Sequence, residues 1–152
     1  MKFLLTFFCI TILSTQCVSN KLDKQSNNDN RKVVMVYKYY TRGFYREHHV
    51  QQNKVKTFLD YAKIKFTTRE VVPIDWAKAL DLLNKIDFKE FENLEAPSND
   101  RHTDKIQHGE LTIKINTSTF RSRSFDHGNP PDQIKALVTH LLYMSEGDAI
   151  QK

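Results

Sequence analysis

The chain has 152 residues, with 23 lysines and arginines against 18 aspartates and glutamates, a formal charge of +5. That length suits one domain, and a mild charge with both signs interleaved gives no reason to invoke a polyanion partner. The only cysteines are Cys9 and Cys17, so the chain beyond them has no disulfide framework, thiol nucleophile or cysteine-based zinc site.

Met1-Lys2 precedes an apolar run from Phe3 to Leu13, and Ser14-Thr15-Gln16-Cys17 closes it. A cation, an apolar core of about 7–15 residues and a small polar exit are the parts of a secretory signal. The run is shorter than the about 20 apolar residues that span a bilayer. Cys17 stands where a bacterial lipobox places its lipidated cysteine, although Gln16 occupies a position where Gly, Ala or Ser is usual. Residues 1–17 are therefore expected to be a signal peptide with a lipobox-like end. The lipid on Cys17 would make the membrane a partner. Acylation would also remove a thiol that is a liability in an oxidising compartment. The alternative is cleavage near Ser19 and a soluble secreted or periplasmic protein. Without Lys2, 22 basic and 18 acidic residues remain, a formal charge of +4.

Residues 18–31 are polar and aperiodic. They cannot bury enough surface to offset their ordering entropy. The expectation is a flexible tether reaching about 20 Å, followed by one domain over 32–147 and a tail over 148–152.

Within the domain, Lys32 to Tyr40 is rich in β-branched and aromatic residues and predicts a strand. Thr41-Arg42-Gly43 punctuates it, and Phe44 to Val50 predicts a second. Val55, Thr57 and Leu59 alternate with polar neighbours, as do Ile64, Phe66, Thr68 and Glu70, which predicts two more half-buried strands. At Pro73 the period changes. Asp75 is the predicted N-cap of a helix whose Trp76, Ala79, Leu80, Leu82, Leu83 and Ile86 recur at helical spacing, with Trp76 in the core. Residues 87–94 read as a short irregular or helical extension, and 95–104 as a loop. Leu111, Ile113 and Ile115 predict a strand that turns at Asn116-Thr117-Ser118 and returns over Thr119 to Phe125. Asn129 as N-cap, Pro130 at the first helical position and Gly147 at the end frame a last helix with a stripe of Ile134, Leu137, Val138, Leu141 and Leu142. The predicted class is α+β: an antiparallel sheet of about six strands, a four-strand meander plus a hairpin, with two helices on one face.

Chemistry-bearing residues are few. Asp126 beside His127 could orient an imidazole near a helix start. The helix start already accounts for Gly128, Asn129, Pro130 and Pro131; only Asp126 and His127 need another explanation, and a turn hydrogen bond could supply one. No Gly-x-Ser-x-Gly, Ser-x-x-Lys or His-Glu-x-x-His motif and no calcium-loop pattern occurs, so neither a cofactor nor a metal is expected. His48 and His49, adjacent in a strand, should point to opposite faces. Tyr37 to Arg46 interleaves aromatics and cations. Export argues against nucleic acid as its partner, and cross-strand packing of the rings explains it; an exposed face could still bind a glycan or protein. Arg121 and Arg123 should share a strand face and could contact an anion. The candidate ligand-binding residues are thus Asp126, His127, Arg121, Arg123, Arg42 and Tyr45.

Three stretches, Tyr40-Thr41-Arg42-Gly43-Phe44-Tyr45, Asn93-Leu94-Glu95-Ala96-Pro97-Ser98 and Ser124-Phe125-Asp126-His127-Gly128-Asn129-Pro130-Pro131, resemble segments of small uncharacterised envelope proteins of flavobacterial (Bacteroidetes) type. The resemblance implies a lipoprotein leader, a strand-rich start, a helix, a hairpin and a closing helix; it implies no activity. The resulting expectation is an exported, lipid-anchored protein of the cell envelope. It would act as a non-enzymatic binding module for a protein or envelope component. The alternatives are a hydrolase-like enzyme using Asp126 and His127, and an inhibitor or immunity-type protein.

Overall fold

A computed structural model describes residues 31–103 and 105–147. The expected signal peptide, Cys17, the tether as far as residue 30 and the tail over 148–152 lie outside the described residues.

The chain opens with strands β1 (Val33–Thr41), β2 (Phe44–Gln51), β3 (Lys54–Phe58) and β4 (Phe66–Glu70), followed by helix α1 (Pro73–Asn84). Two 3-10 turns, Phe91–Asn93 and Asp100–Thr103, lead to β5 (His108–Ile115), β6 (Ser118–Arg121), β7 (Phe125–Asp126) and helix α2 (Asp132–Glu146). The result is an α+β fold with an antiparallel sheet ordered β4-β3-β2-β1-β5-β6, in which β7 also pairs with β5. The first four strands are the expected meander. Two-residue turns at Arg42-Gly43 and Gln52-Asn53 hold Thr41 opposite Phe44 and Gln51 opposite Lys54. Asn116 takes a positive φ of 54° in the β5–β6 turn, a backbone state that asparagine tolerates better than most residues.

Alternation along each strand divides the side chains between two faces. Met35 and Tyr37 on β1, His48 and Val50 on β2, Val55 on β3 and Leu111 and Ile113 on β5 face the helices and are at most 1% exposed. Trp76, Ala79 and Leu83 of α1 and Ile134, Leu137, Val138 and Leu141 of α2 close this core. Trp76 is core, as expected. The helices are tied where His140 Nε2 donates to the Asp75 carbonyl at 2.9 Å.

Several boundaries differ from the sequence reading. Pro73, not a residue after Asp75, opens α1, with Val72 at the cap position; Asp75 lies in the first turn, where its charge faces the helix dipole. Helix α2 begins at Asp132 after Pro131, because the Asn129 side chain donates to Ser98 Oγ at 2.8 Å instead of capping the helix. Gly147 ends α2 with φ 72°, as expected. β4 is exposed at every residue, so its alternation marks an edge strand rather than a half-buried one. Lys56 Nζ sits 3.9 Å from the ring centroid of its Phe66, a cation placed over an otherwise bare edge. Ile64 belongs to the preceding loop, which Asp60 holds by accepting from the Ile64 and Lys65 amides at 3.1 and 2.8 Å. The returning strand of the hairpin is interrupted. Ser122 Oγ accepts the Leu111 amide at 3.0 Å, β6 stops at Arg121, and β7 resumes against His108 and Gly109.

Candidate functional site

The helices cover one face of the sheet, and the other carries a cleft of about 520 Å³. Its floor comes from β1, β2, β5 and β6, and the β3–β4 loop contributes one wall. Period-two alternation puts Tyr45, Glu47 and His49 of β2 on this face, opposite Tyr40, Lys38 and Val36 of β1. β5 adds Glu110, Thr112 and Lys114, and Arg121 of β6 lies opposite Thr112.

Glu47 is the centre of one end. It is 5% exposed, yet its carboxylate receives the Tyr45 hydroxyl, the His49 Nε2 and the Lys63 ammonium, the last at 2.6 Å. Burial alone would raise its pKa, but the donors from His49, Lys63 and Tyr45 overcome this and lower it to about 2. With Nε2 of His49 turned to Glu47, Nδ1 is the ring's remaining polar atom. Tyr61 packs against Tyr45, with ring centroids 4.5 Å apart, and edge-on to Tyr40 at 6.5 Å. The Tyr40 hydroxyl donates to Glu110 at 2.8 Å, and Lys38 pairs with the same carboxylate at 3.0 Å. Burial, followed by the Glu110 hydrogen bond, pushes the Tyr40 pKa up to about 12. At the far end, the side chains of Lys114 and Arg121 are exposed and have no hydrogen-bond or ion-pair partner among the described residues. The cleft therefore holds four cations, Lys38, Lys63, Lys114 and Arg121, against the carboxylates Glu47 and Glu110. Its lining contains no serine or cysteine, and Thr112 is its one aliphatic hydroxyl.

The residues expected from the sequence are not brought together. Tyr45 and Arg121 line the cleft, at opposite ends. Arg123 lies beyond the end of β6 and does not share a strand face with Arg121. Arg42 is exposed in the β1–β2 turn. Asp126 is fully buried: its carboxylate accepts from Ser98 Oγ at 2.5 Å, the amides of Asp100 and Arg101 at 2.8 and 3.0 Å, and Arg101 Nη1 at 3.1 Å. Burial opposes its ionisation, but these donors hold its pKa well below the usual carboxylate range. It organises the loop before β5.

His127 faces the helix side. Its ring stacks on Tyr39 with centroids 4.0 Å apart, and its Nδ1 shares a 2.8 Å hydrogen bond with the Tyr37 hydroxyl. Tyr39 also bonds Glu146 at the end of α2, and His48 reaches the same carboxylate at 3.0 Å while bonding Thr57 at 2.8 Å. Burial lowers the His127 pKa, against the opposing charge of Glu146. His48 and His49 point to opposite faces, as expected. No group of three or more metal-ligating side chains occurs among the described residues.

The sequence reading missed Glu47, His49, Lys63 and Tyr61 as site residues. The alternation of β2 could have placed Tyr45, Glu47 and His49 on one face. Nothing local could have brought Lys63 from the β3–β4 loop onto Glu47. Among the described residues, no helix is long and apolar enough to cross a membrane. No family model matches the chain, and no curated protein or solved structure matches it.

Proposed function

We propose that this chain is an exported, lipid-anchored protein of the cell envelope and a non-enzymatic binding module whose binding surface is the open face of its sheet. The observation that carries the binding reading is the Glu47 cluster. A nearly buried carboxylate with three side-chain donors, set in a cleft that no helix covers, is a preorganised polar surface rather than a scatter of solvated charges. The absence of serine and cysteine from the lining favours binding over nucleophilic catalysis. The hydrolase alternative on Asp126 and His127 lacks the contact it needs, since among the described residues the Asp126 carboxylate is bonded by donors of the 98–101 loop, Ser98, Asp100 and Arg101, and not by His127. Export and anchoring rest on the leader: Lys2, the apolar run and Cys17.

Two measurements test this. The intact mass of the membrane-derived protein should show an acylated Cys17 as first residue; a free N-terminus downstream of it removes the anchor. A photoreactive side chain at Thr112 should form a specific adduct in envelope membranes, whereas one at Lys135 on the exposed side of α2 should not. Equal labelling from both positions, or none from Thr112, refutes the open face as a binding surface. A protein adduct from Thr112 would favour an inhibitor or immunity-type role on the same face.

A further inference from the structure

Resting on that reading of the open face, we infer that the cleft takes an acidic saccharide, a short glycan segment bearing carboxylate or phosphate. The first reason is the unequal distribution of charge. Glu47 and Glu110 are occupied by Lys63 and Lys38 at the tyrosine end, whereas Lys114 and Arg121 at the β5–β6 end are exposed and unpaired among the described residues. Arg121 lies directly across from Thr112 in the strand pairing, and Lys114 is the next residue of β5 on that face. A guanidinium, an ammonium and a hydroxyl on one small patch suit a planar or tetrahedral anion.

The second reason is the opposite end. Tyr61 is 55% exposed, with its ring braced by Tyr45 and Tyr40. A braced, exposed ring offers the flat apolar surface on which the C–H face of a sugar ring packs. Three strand spacings separate β2 from β6, about 14 Å, so one ligand must be extended to use both ends. A protein partner would need an apolar pocket for a desolvated anchor; apart from the tyrosine rings, Val36 is the lining's one apolar side chain, and it is itself buried in the floor.

The test is calorimetric titration of the full chain in detergent at low ionic strength. The probes are tetragalacturonate, its carboxyl-reduced neutral counterpart and monogalacturonate. The expected result is saturable binding of the tetramer and binding at least tenfold weaker for each of the other two. The Lys114→Ala/Arg121→Ala double variant should lose about tenfold or more in affinity, the scale of a charge-assisted hydrogen bond, with an unchanged thermal midpoint. Arg123→Ala removes one charge outside the cleft and should leave affinity unchanged. No tetramer binding, equal binding of the neutral form or the monomer, or an equal loss from Arg123→Ala overturns the saccharide assignment. A protein adduct at Thr112 together with no tetramer binding would defeat this inference while leaving the open-face binding module standing; failure of both defeats both.

Discussion

Asp126 and His127 are adjacent in the chain and serve opposite sides of the sheet: the carboxylate of Asp126 is enclosed by the Ser98–Arg101 loop, while the imidazole of His127 lies flat on Tyr39. Alternation along β7 and the turn from Asp126 to Asn129 that follows it are the cause. Phe125 packs on Tyr37 on the helix side, Asp126 turns away from it, and His127 returns. The pair that looks most like an acid–base dyad in the sequence is therefore two separate structural devices.

If Asp126 is a loop anchor, Asp126→Ala should destabilise the fold by about 3–5 kcal/mol, because it strands the nearly buried Arg101 guanidinium. Chemical denaturation measures this. In the milder Asp126→Asn variant, the NMR titration midpoint of His127 should stay where it is. A marked shift would mean that the two side chains communicate after all.

The bond between Tyr37 and His127 ties β1 to the segment after β7. Tyr37→Phe leaves the imidazole Nδ1 without its partner and should cost about 1–2 kcal/mol in urea unfolding. A neutral effect would show that water replaces the hydroxyl.

Gly109 lies where β5 passes beneath two rings. A Cβ there would come within 2.7 Å of Phe125 Cε2 and 3.0 Å of the Tyr37 hydroxyl. Phe125 is buried at 1% exposure and has little room to move. Gly109→Ala should therefore destabilise by about 1–3 kcal/mol through overpacking, visible as a lower thermal midpoint. An unchanged midpoint would mean that the ring shifts freely.

Acid should weaken the open face. Glu47 has its pKa lowered from 4.5 to about 2 in the folded protein. A depressed carboxylate contributes stability that is present in full above its unfolded pKa and is lost as pH falls through the folded value. The Glu47 contribution, about 2 kcal/mol after solvent screening on the open side, should thus disappear between about pH 4.5 and pH 2. Glu47→Gln should be less stable than the parent at pH 7, and the gap should close over that window. A constant difference down to pH 2 would contradict the assigned ionisation.

The elements with strong local patterns were readable. The β1–β2 hairpin, both helical stripes and the Gly147 stop follow from period and turn chemistry, which depend on residues a few positions apart. The errors have a common origin. Asn129 looked like a cap until Ser98, 31 residues earlier, claimed its amide. The strand from Thr119 to Phe125 looked continuous until Ser122 bonded Leu111. β4 looked half-buried because alternation reveals two faces but does not say whether anything covers either of them.

By itself, the sequence determined the class of the fold, the order of its elements and which stripes of side chains enter the core, because burial of periodic apolar residues is a local instruction repeated along the chain. Only the tertiary structure decided the site. It separated Asp126 from His127, sent His48 to Glu146 and His49 to Glu47, and carried Lys63 onto Glu47 from 16 residues away. Charged and hydrogen-bonding groups act over a few ångströms of space whatever their distance in sequence. Their partners are therefore set by how the strands stack side by side and by which face the helices leave open.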